Sequence, residues 1–585
     1  MRTRVLALIL FLWLGYILFG LTYVQIGLHE RMKVMSEENR LKVVPLMAPR
    51  GSITDRNGEV LVKDVLSFNV SVLYSRIKDK SRLASTLSSV LDVPEAEMTE
   101  KIEKSRRRPF NHVVLAEDIG IEKAVHLEEI EMDFPGLLID VSAKREYPKG
   151  KTASNLLGYL GLINRTEFEK LKHYGYSISD VIGRSGIEKQ YDNYLRGRHG
   201  GKQVEVDHRG RQVSTLGYKE PVPGRNLRST IDLELQSFCD DLLEDKRGAI
   251  VAMDPSSGEV LAMASAPSFD PGIFVDRKRS EEVSEVLNDN EYPLLNRAIT
   301  GAYPPGSVFK VVTAAAALET GSVTPERSFY CPGSMTLGNR TFRCWKESGH
   351  GEQDLRRAIK NSCNVYFWRA GLLVGVDSIA EYGSLMGLGD TTGIDLPGES
   401  GGVLPSREWK RERLNKQWYR GETLNYAIGQ GYLLCTPLQL ARMMSVFANG
   451  GYLVEPYVVD SIGDVKVNIP EKKPLGISDA SVEQIRAGLR DVVNHPRGTG
   501  MKARSDKVVI SGKTGTAQTS RGKNHGWFGG FAPYEEARLT VVVFDEYGGK
   551  GGYYAAGTAG KVFEKARELG LLGEEYVDSA GESGS

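Results

Sequence analysis

The segment Pro304-Pro305-Gly306-Ser307-Val308-Phe309-Lys310-Val311-Val312-Thr313-Ala314-Ala315-Ala316-Ala317-Leu318 joins a stiff turn to a run that is apolar almost all round. A helix without a polar face is normally buried, so the pattern predicts a core helix from Ser307 to Leu318, closed by Gly321. Ser307 and Lys310 stand three residues apart at its start, and one helical turn brings their side chains to the same face. A buried ammonium is costly. Lys310 is therefore expected to have a depressed pKa and to serve as general base for the Ser307 hydroxyl. Ser-x-x-Lys by itself is common by chance; the lysine on an otherwise apolar helix is what marks this copy.

Outward from that helix, Gly248 to Asp254 and Gly258 to Ala264 read as two strands joined by the Pro255-Ser256-Ser257 turn, which makes a hairpin. Arg538 to Asp545 is a further β-rich run, and Lys561 to Leu569 has helical spacing. Strands at both ends of a domain, enclosing helices, predict an α/β sheet closed by remote segments. Thr436 to Asn449 reads as a structural core helix, with Thr436 and Gln439 in capping-box spacing, Pro437 at the first position and Gly450 after the end. Two more segments carry chemistry. Ser362-Cys363-Asn364 offers a hydroxyl for proton relay and an amide to hold a carbonyl. Lys513-Thr514-Gly515-Thr516 follows the apolar Val508-Val509-Ile510 and reads as an edge strand, whose glycine lets a peptide backbone approach and whose cation and hydroxyls suit a carboxylate.

The 585 residues exceed one ordinary core, so two or three domains are expected. Lys plus Arg and Asp plus Glu are both 75, without the basic excess that nucleic-acid binding usually shows. From Val5 to Leu28 no residue is charged, and these 24 residues would span roughly 36 Å as a helix against about 30 Å of hydrocarbon. That is long for a cleaved signal core and lacks a clear small-x-small site after it, so residues 1–28 read as an uncleaved transmembrane anchor. Arg2 and Arg4 precede the span while Arg31, Lys33, Arg40 and Lys42 follow it, so flanking charge alone does not orient it. Residues 29–224 are charged and turn-rich, an extended non-catalytic module; 225–575 hold the catalytic pattern, and 576–585 read as a flexible tail.

Ser-x-x-Lys on a helix start, then Ser-x-Asn, then Lys-Thr-Gly on a strand, in this order, resembles the penicillin-binding protein and serine β-lactamase superfamily. The resemblance covers nearly the whole chain. Ala48 to Gly58, Arg145 to Pro148 with Leu157-Gly158-Tyr159, and Gly183 to Glu188 look like the three boxes of the class B penicillin-binding proteins, where they belong to a pedestal. Ala427-Ile428-Gly429-Gln430-Gly431-Tyr432, Gln518, and His525 to Pro533 are similar to the elongation-type branch, penicillin-binding protein 2, more than to the division type. The resemblance implies an antiparallel sheet flanked by helices, set on an α+β pedestal behind one transmembrane helix. It implies a peptidoglycan D,D-transpeptidase in which Ser307 attacks the penultimate D-alanine carbonyl of a stem peptide, with Lys310, Ser362, Asn364 and Lys513 catalytic, Thr514, Gly515 and Thr516 binding substrate, and the Ser307 and Thr516 amides forming the oxyanion hole. It further implies inhibition by β-lactams, a RodA-type (SEDS) glycosyltransferase partner, a role in rod-shaped growth, and a bacterial cytoplasmic membrane location with the catalytic domain outside. The alternatives are a division-type transpeptidase; a β-lactamase, which the anchor, the pedestal and the lack of a deacylating-base motif disfavour; some carboxypeptidase activity; or a β-lactam sensor or scaffold, which would be expected to show more spans or to lack the intact nucleophile set.

Five cysteines occur, Cys239, Cys331, Cys344, Cys363 and Cys435. Cys331, Cys344, His350 and Cys363 fall within 33 residues of a turn-rich stretch, and a Cys3His set suits tetrahedral zinc. Some elongation-type relatives resemble this in holding zinc beside the active site. The other readings are a Cys331 to Cys344 disulfide with Cys363 a buried thiol, or three unconnected thiols. Zinc here would brace the loop carrying Ser362 and Asn364 rather than take part in acyl transfer, which needs no cofactor.

Overall fold

The computed structural model describes residues 2–30, 33, 41–178, 180–207, 212–467, 472–519 and 522–573; the tail expected at 576–585 lies outside them. The chain divides into two units, one of residues 1–51, 64–146 and 196–224, the other of 52–63, 147–195 and 225–585. One of the crossings between the units falls after residue 224. Segments 52–63 and 147–195, which the sequence groups with the pedestal, are counted with the larger unit because their apolar residues, Ile53, Val62, Leu156 and Ile187 among them, are buried in its core cluster.

In the smaller unit the strands Leu41–Leu46, Gly200–Val206 and Gln212–Lys219 form an antiparallel sheet in that order. A separate core of Val70, Val72, Leu83, Leu87, Met98, Ile102, Leu115 and Leu127 joins the end of strand Val60–Leu73 to helices Lys80–Leu91, Glu95–Ser105 and Ile121–Ile130. Arg145 and Asp64 pair at 3.0 Å with side chains only 2% and 9% exposed, and Arg145 also donates to Gly51 O at 2.9 Å. These box residues hold backbone together, consistent with a structural role. The N-terminal helix Arg2–Thr22 continues into a π-helical turn, Tyr23–Gly27. Its apolar stretch Arg4–Gly27 is 24 residues long with none buried, which fits a single-pass membrane anchor.

The larger unit is built on a five-stranded antiparallel sheet of β1 (Gly248–Met253), β2 (Val260–Ala266), β3 (Ser511–Ala517), β4 (His525–Ala532) and β5 (Leu539–Asp545), ordered β2-β1-β5-β4-β3. The hairpin and the remote closing strand stand where the sequence predicts them, and β3 is an edge. The helices that frame the sheet and the site include α1 (Lys310–Glu319), α2 (Leu355–Lys360), α3 (Asn364–Val374), α4 (Pro437–Ala448), α5 (Asp479–Asn494) and α6 (Tyr554–Glu568). The capping box at α4 is present in both directions, Gln439 N to Thr436 Oγ1 at 3.1 Å and Thr436 N to Gln439 Oε1 at 2.9 Å. Buried except at Arg442, α4 packs on β1, β4 and β5. On the other face α6 covers β4 and β5. The helix predicted from Ser307 begins in fact as a 3₁₀ turn, Gly306–Phe309, with α1 following from Lys310; the tight turn keeps residues i and i+3 eclipsed, so Ser307 and Lys310 still share a face.

Candidate active site

The Ser307 turn is fastened from three sides. Gly306 N donates to Gly429 O at 2.9 Å, Trp527 Nε1 donates to Pro304 O at 2.9 Å, and strand β3 passes beneath at Gly515. A Cβ on Gly515 would lie 2.7 Å from Pro305 O and 3.0 Å from Val308 Cγ2, so only glycine lets the strand come this close to the serine turn. Sequence reasoning assigns that glycine to approach by a bound peptide; the structure places its open side against the protein's own turn. Phe309 and Val308 are fully buried while Ser307 remains half-exposed, so the hydroxyl is the accessible part of an immobile turn. Among the described residues the Ser307 hydroxyl has no hydrogen-bond partner. A Cβ on Gly306 would lie 2.8 Å from Thr516 O and 3.2 Å from Thr516 N, so the serine turn and the Thr516 peptide are in direct contact.

Lys310 is fully buried and its Nζ meets Asn364 Oδ1 at 2.7 Å, Ser362 O at 2.8 Å and Ser362 Oγ at 3.2 Å. Burial lowers its pKa to about 8, with nearby Cys344 and Cys363 opposing the shift. The two shorter contacts are to carbonyl oxygens and take N–H groups. The third is to a hydroxyl, which accepts from an ammonium or donates to a neutral amine, so the site satisfies Lys310 in both protonation states. With Asn364 Oδ1 occupied, its amide nitrogen is left to donate to a substrate carbonyl. Ser362 adopts a left-handed backbone with φ +50, uncommon for a non-glycine residue, between α2 and α3. Trp345 Nε1 donates to both Asn361 O and Ser362 O at 3.1 Å and so secures that conformation.

Lys513 points to the same interior. It is 0% exposed, its Nζ donates to Thr514 O at 3.2 Å, and burial with the neighbouring Lys310 presses its pKa well below the usual lysine range. The sequence casts it as a cation open to a carboxylate; in the fold it is an interior group beside the base. Thr516 is the partly exposed residue of β3, and Thr514 is nearly buried.

Cys331, Cys344, His350 and Cys363 converge, with their ligand atoms all within 4.8 Å of one another and the three thiols buried. Both Cys331 Sγ and Cys344 Sγ lie 3.6 Å from His350 Nδ1. Ligands about 2.0 to 2.3 Å from a tetrahedral ion are separated by roughly 3.5 to 3.8 Å, so the donor set and spacing fit such an ion. All five cysteines are free thiols, without the alternative Cys331 to Cys344 bond. Hydrogen bonds from Cys363 and His350 draw the Cys344 thiol down to about 3, and the same contact pushes Cys363 up. The cluster grows from two short ladders, Phe329–Cys331 with Gly351–Gln353 and Ser334–Leu337 with Arg340–Arg343, and Cys363 ties it to Ser362 and Asn364.

All twelve residues singled out from the sequence therefore fall into two adjoining groups, one around Lys310 and one around His350. Trp345, Trp527, Thr499 and the segment 547–552 also border the site and were not anticipated. Trp345 stands beside Cys344 and Trp527 falls within the His525 to Pro533 stretch, but neither place marks a contact with the site.

The chain matches the family model "Penicillin binding protein transpeptidase domain" over residues 248–567 and "Penicillin-binding Protein dimerisation domain" over 45–229. It is 33% identical over 593 residues to peptidoglycan D,D-transpeptidase MrdA of Haemophilus influenzae, covering 96% of this chain and 91% of that protein. The penicillin-binding protein PBP2 of Helicobacter pylori, solved in complex with MreC, superposes with a TM-score of 0.81 at 30% identity, covering 91% of this chain and 99% of that one. A chain of a peptidoglycan synthase complex that coordinates polymerization and crosslinking superposes with a TM-score of 0.76 at 34% identity, covering 97% and 98%.

Proposed function

Since the chain belongs to the penicillin-binding protein transpeptidases, we propose that Ser307 is its acylated nucleophile and Lys310 the base that activates it. The protein is a serine-type peptidoglycan D,D-transpeptidase of the elongation-type, PBP2 branch. Ser307 Oγ bonds to the penultimate D-alanine carbonyl carbon as its proton passes to Lys310; the amides of Ser307 and Thr516 take the oxyanion charge. The C–N bond then breaks and terminal D-alanine leaves with a proton returned through Lys310 or Ser362. An amine from a neighbouring stem attacks the ester, forms the cross-link and restores the hydroxyl. Penicillin enters the same path as an acyl donor whose leaving group stays attached.

The observation that carries the reading is the buried Lys310, one turn from Ser307 and held by Ser362 and Asn364. Ser307→Ala is expected to abolish labelling by a fluorescent penicillin while leaving the thermal unfolding midpoint unchanged. Labelling that persists would move the nucleophile elsewhere.

The thiol and imidazole cluster is read as a structural zinc site, its ligands Cys331, Cys344, His350 and Cys363. Its ion would neutralise the thiolates and fix the loop presenting Ser362 and Asn364. Elemental analysis of the purified chain is expected to give one zinc per protein, and chelator to lower its unfolding temperature. Absence of stoichiometric metal would remove the site.

Residues 29–224 are assigned as a pedestal and 225–575 as the transpeptidase domain, which lies on the outer face of the bacterial cytoplasmic membrane, where its substrate is. The H. pylori relative is solved with MreC and another in a synthase complex, which supports membership of an elongation complex. The polymerase partner assigned here is a RodA-type glycosyltransferase. Purification of the intact membrane complex without any such polymerase would remove this part.

A further inference from the structure

Thr514 and Thr516 alternate along β3 with Lys513 and Gly515, so their hydroxyls lie on the strand face away from the serine turn. Their hydrogen bonds differ. Thr514 Oγ1 donates to Thr499 Oγ1 at 3.4 Å and Thr499 Oγ1 donates to Lys360 O at 3.2 Å, so the Thr514 proton is committed inside the protein. Thr516 Oγ1 instead receives the backbone N–H of Gly551 at 3.3 Å. A hydroxyl has one proton and two lone pairs, and this arrangement uses a lone pair and leaves the proton free to point outward.

Gly551 is held there by fit. A Cβ on it would overlap Gly515 O and lie 2.6 Å from Trp527 N, so the segment rests directly on β3 and β4. Gly549 N donates to Asn524 O at 2.8 Å and Tyr547 N to His525 Nδ1 at 3.1 Å, fastening the approach to it. Lys550 stands between these anchors, exposed, and its ammonium has no hydrogen-bond or ion-pair partner among the described residues. Its Cα is two bonds from the Gly551 nitrogen, about 2.4 Å by standard backbone geometry, so the Thr516 hydroxyl is within reach of a lysine chain of about 6 Å. Lys513, wholly buried, leaves the carboxylate end of the strand without an exposed cation of its own.

We propose that Lys550 is the cation of the substrate-carboxylate subsite, acting beside the Thr516 hydroxyl that the Gly551 amide orients. The ligand class is an acyl donor ending in a free carboxylate: the D-alanyl-D-alanine terminus and carboxylate-bearing β-lactams. The inference rests on Ser307 and β3 being the acyl-transfer site.

The test uses the full-length chain in detergent with a thioester stem-peptide analogue ending in a free carboxylate, and with its methyl ester. For an exposed ion pair, Lys550→Ala should lower kcat/KM for the acid roughly threefold to fivefold, through KM. The ester should be unaffected, raised salt should erase the difference, and Lys550→Arg should restore it. An equal loss on acid and ester, or no loss on the acid, overturns the assignment. Failure of the wild-type chain to be acylated at Ser307 overturns the underlying reading instead.

Discussion

Lys310 has three acceptors around its nitrogen and no carboxylate partner among the described residues. The cost of burying its charge outweighs the opposing effect of Cys344 and Cys363, so the neutral amine becomes accessible near physiological pH, and its pKa of about 8 follows from that burial. Because the folded-state value lies below that of a free lysine, raising the pH through 8 empties the ammonium form and fills the form that accepts a proton. Penicillin acylation should therefore rise about tenfold between pH 7 and pH 9, in step with the neutral fraction. A flat profile over that range, measured as the second-order rate of labelling, would remove Lys310 as the base. Arginine stays protonated at any such pH, so Lys310→Arg should cost about 10²- to 10⁴-fold in acylation without a pH-dependent recovery.

Elements defined by local pattern were legible in the sequence, and elements defined by distant contact were not. Thr436, Pro437 and Gln439 set the start of α4 because capping is settled within four residues, and the β1–β2 hairpin follows from a turn between two apolar runs. The juxtaposition of Ser307 and Lys310 was legible for the same reason, since they are one turn apart. The left-handed backbone of Ser362 left no mark, because no glycine or asparagine announces it; the indole of Trp345 from the neighbouring loop holds it. The face of Gly515 was unreadable as well, because which side of a strand meets the serine turn depends on how β3 is laid beneath residues 304–308. The segment 547–552 is glycine-rich and carries no motif, yet it rests on β3 because Gly551 has no Cβ to collide with Gly515 O and Trp527 N. Periodicity carries no information about that kind of contact.

Across the whole molecule, chemistry and location are carried by separate parts of the chain. Ser307, Lys310, Ser362, Asn364 and Lys513 all belong to the unit containing residues 225–585, whereas the apolar helix near the N-terminus has none of its residues buried and contributes to neither core. The helix is long enough to cross a bilayer once. Basic residues flank both ends, Arg2 and Arg4 before and Arg31, Lys33, Arg40 and Lys42 after, and a long C-terminal domain is translocated largely regardless of such charge. The outward orientation proposed above rests on substrate instead, because peptidoglycan stems are cross-linked outside the cytoplasmic membrane. In spheroplasts, a penicillin probe too polar to cross that membrane should label the chain as fully as it does after permeabilisation, and Ser307→Ala should remove the signal in both. Labelling that appears only once the membrane is opened would place the catalytic domain inside and overturn the orientation while leaving the nucleophile intact.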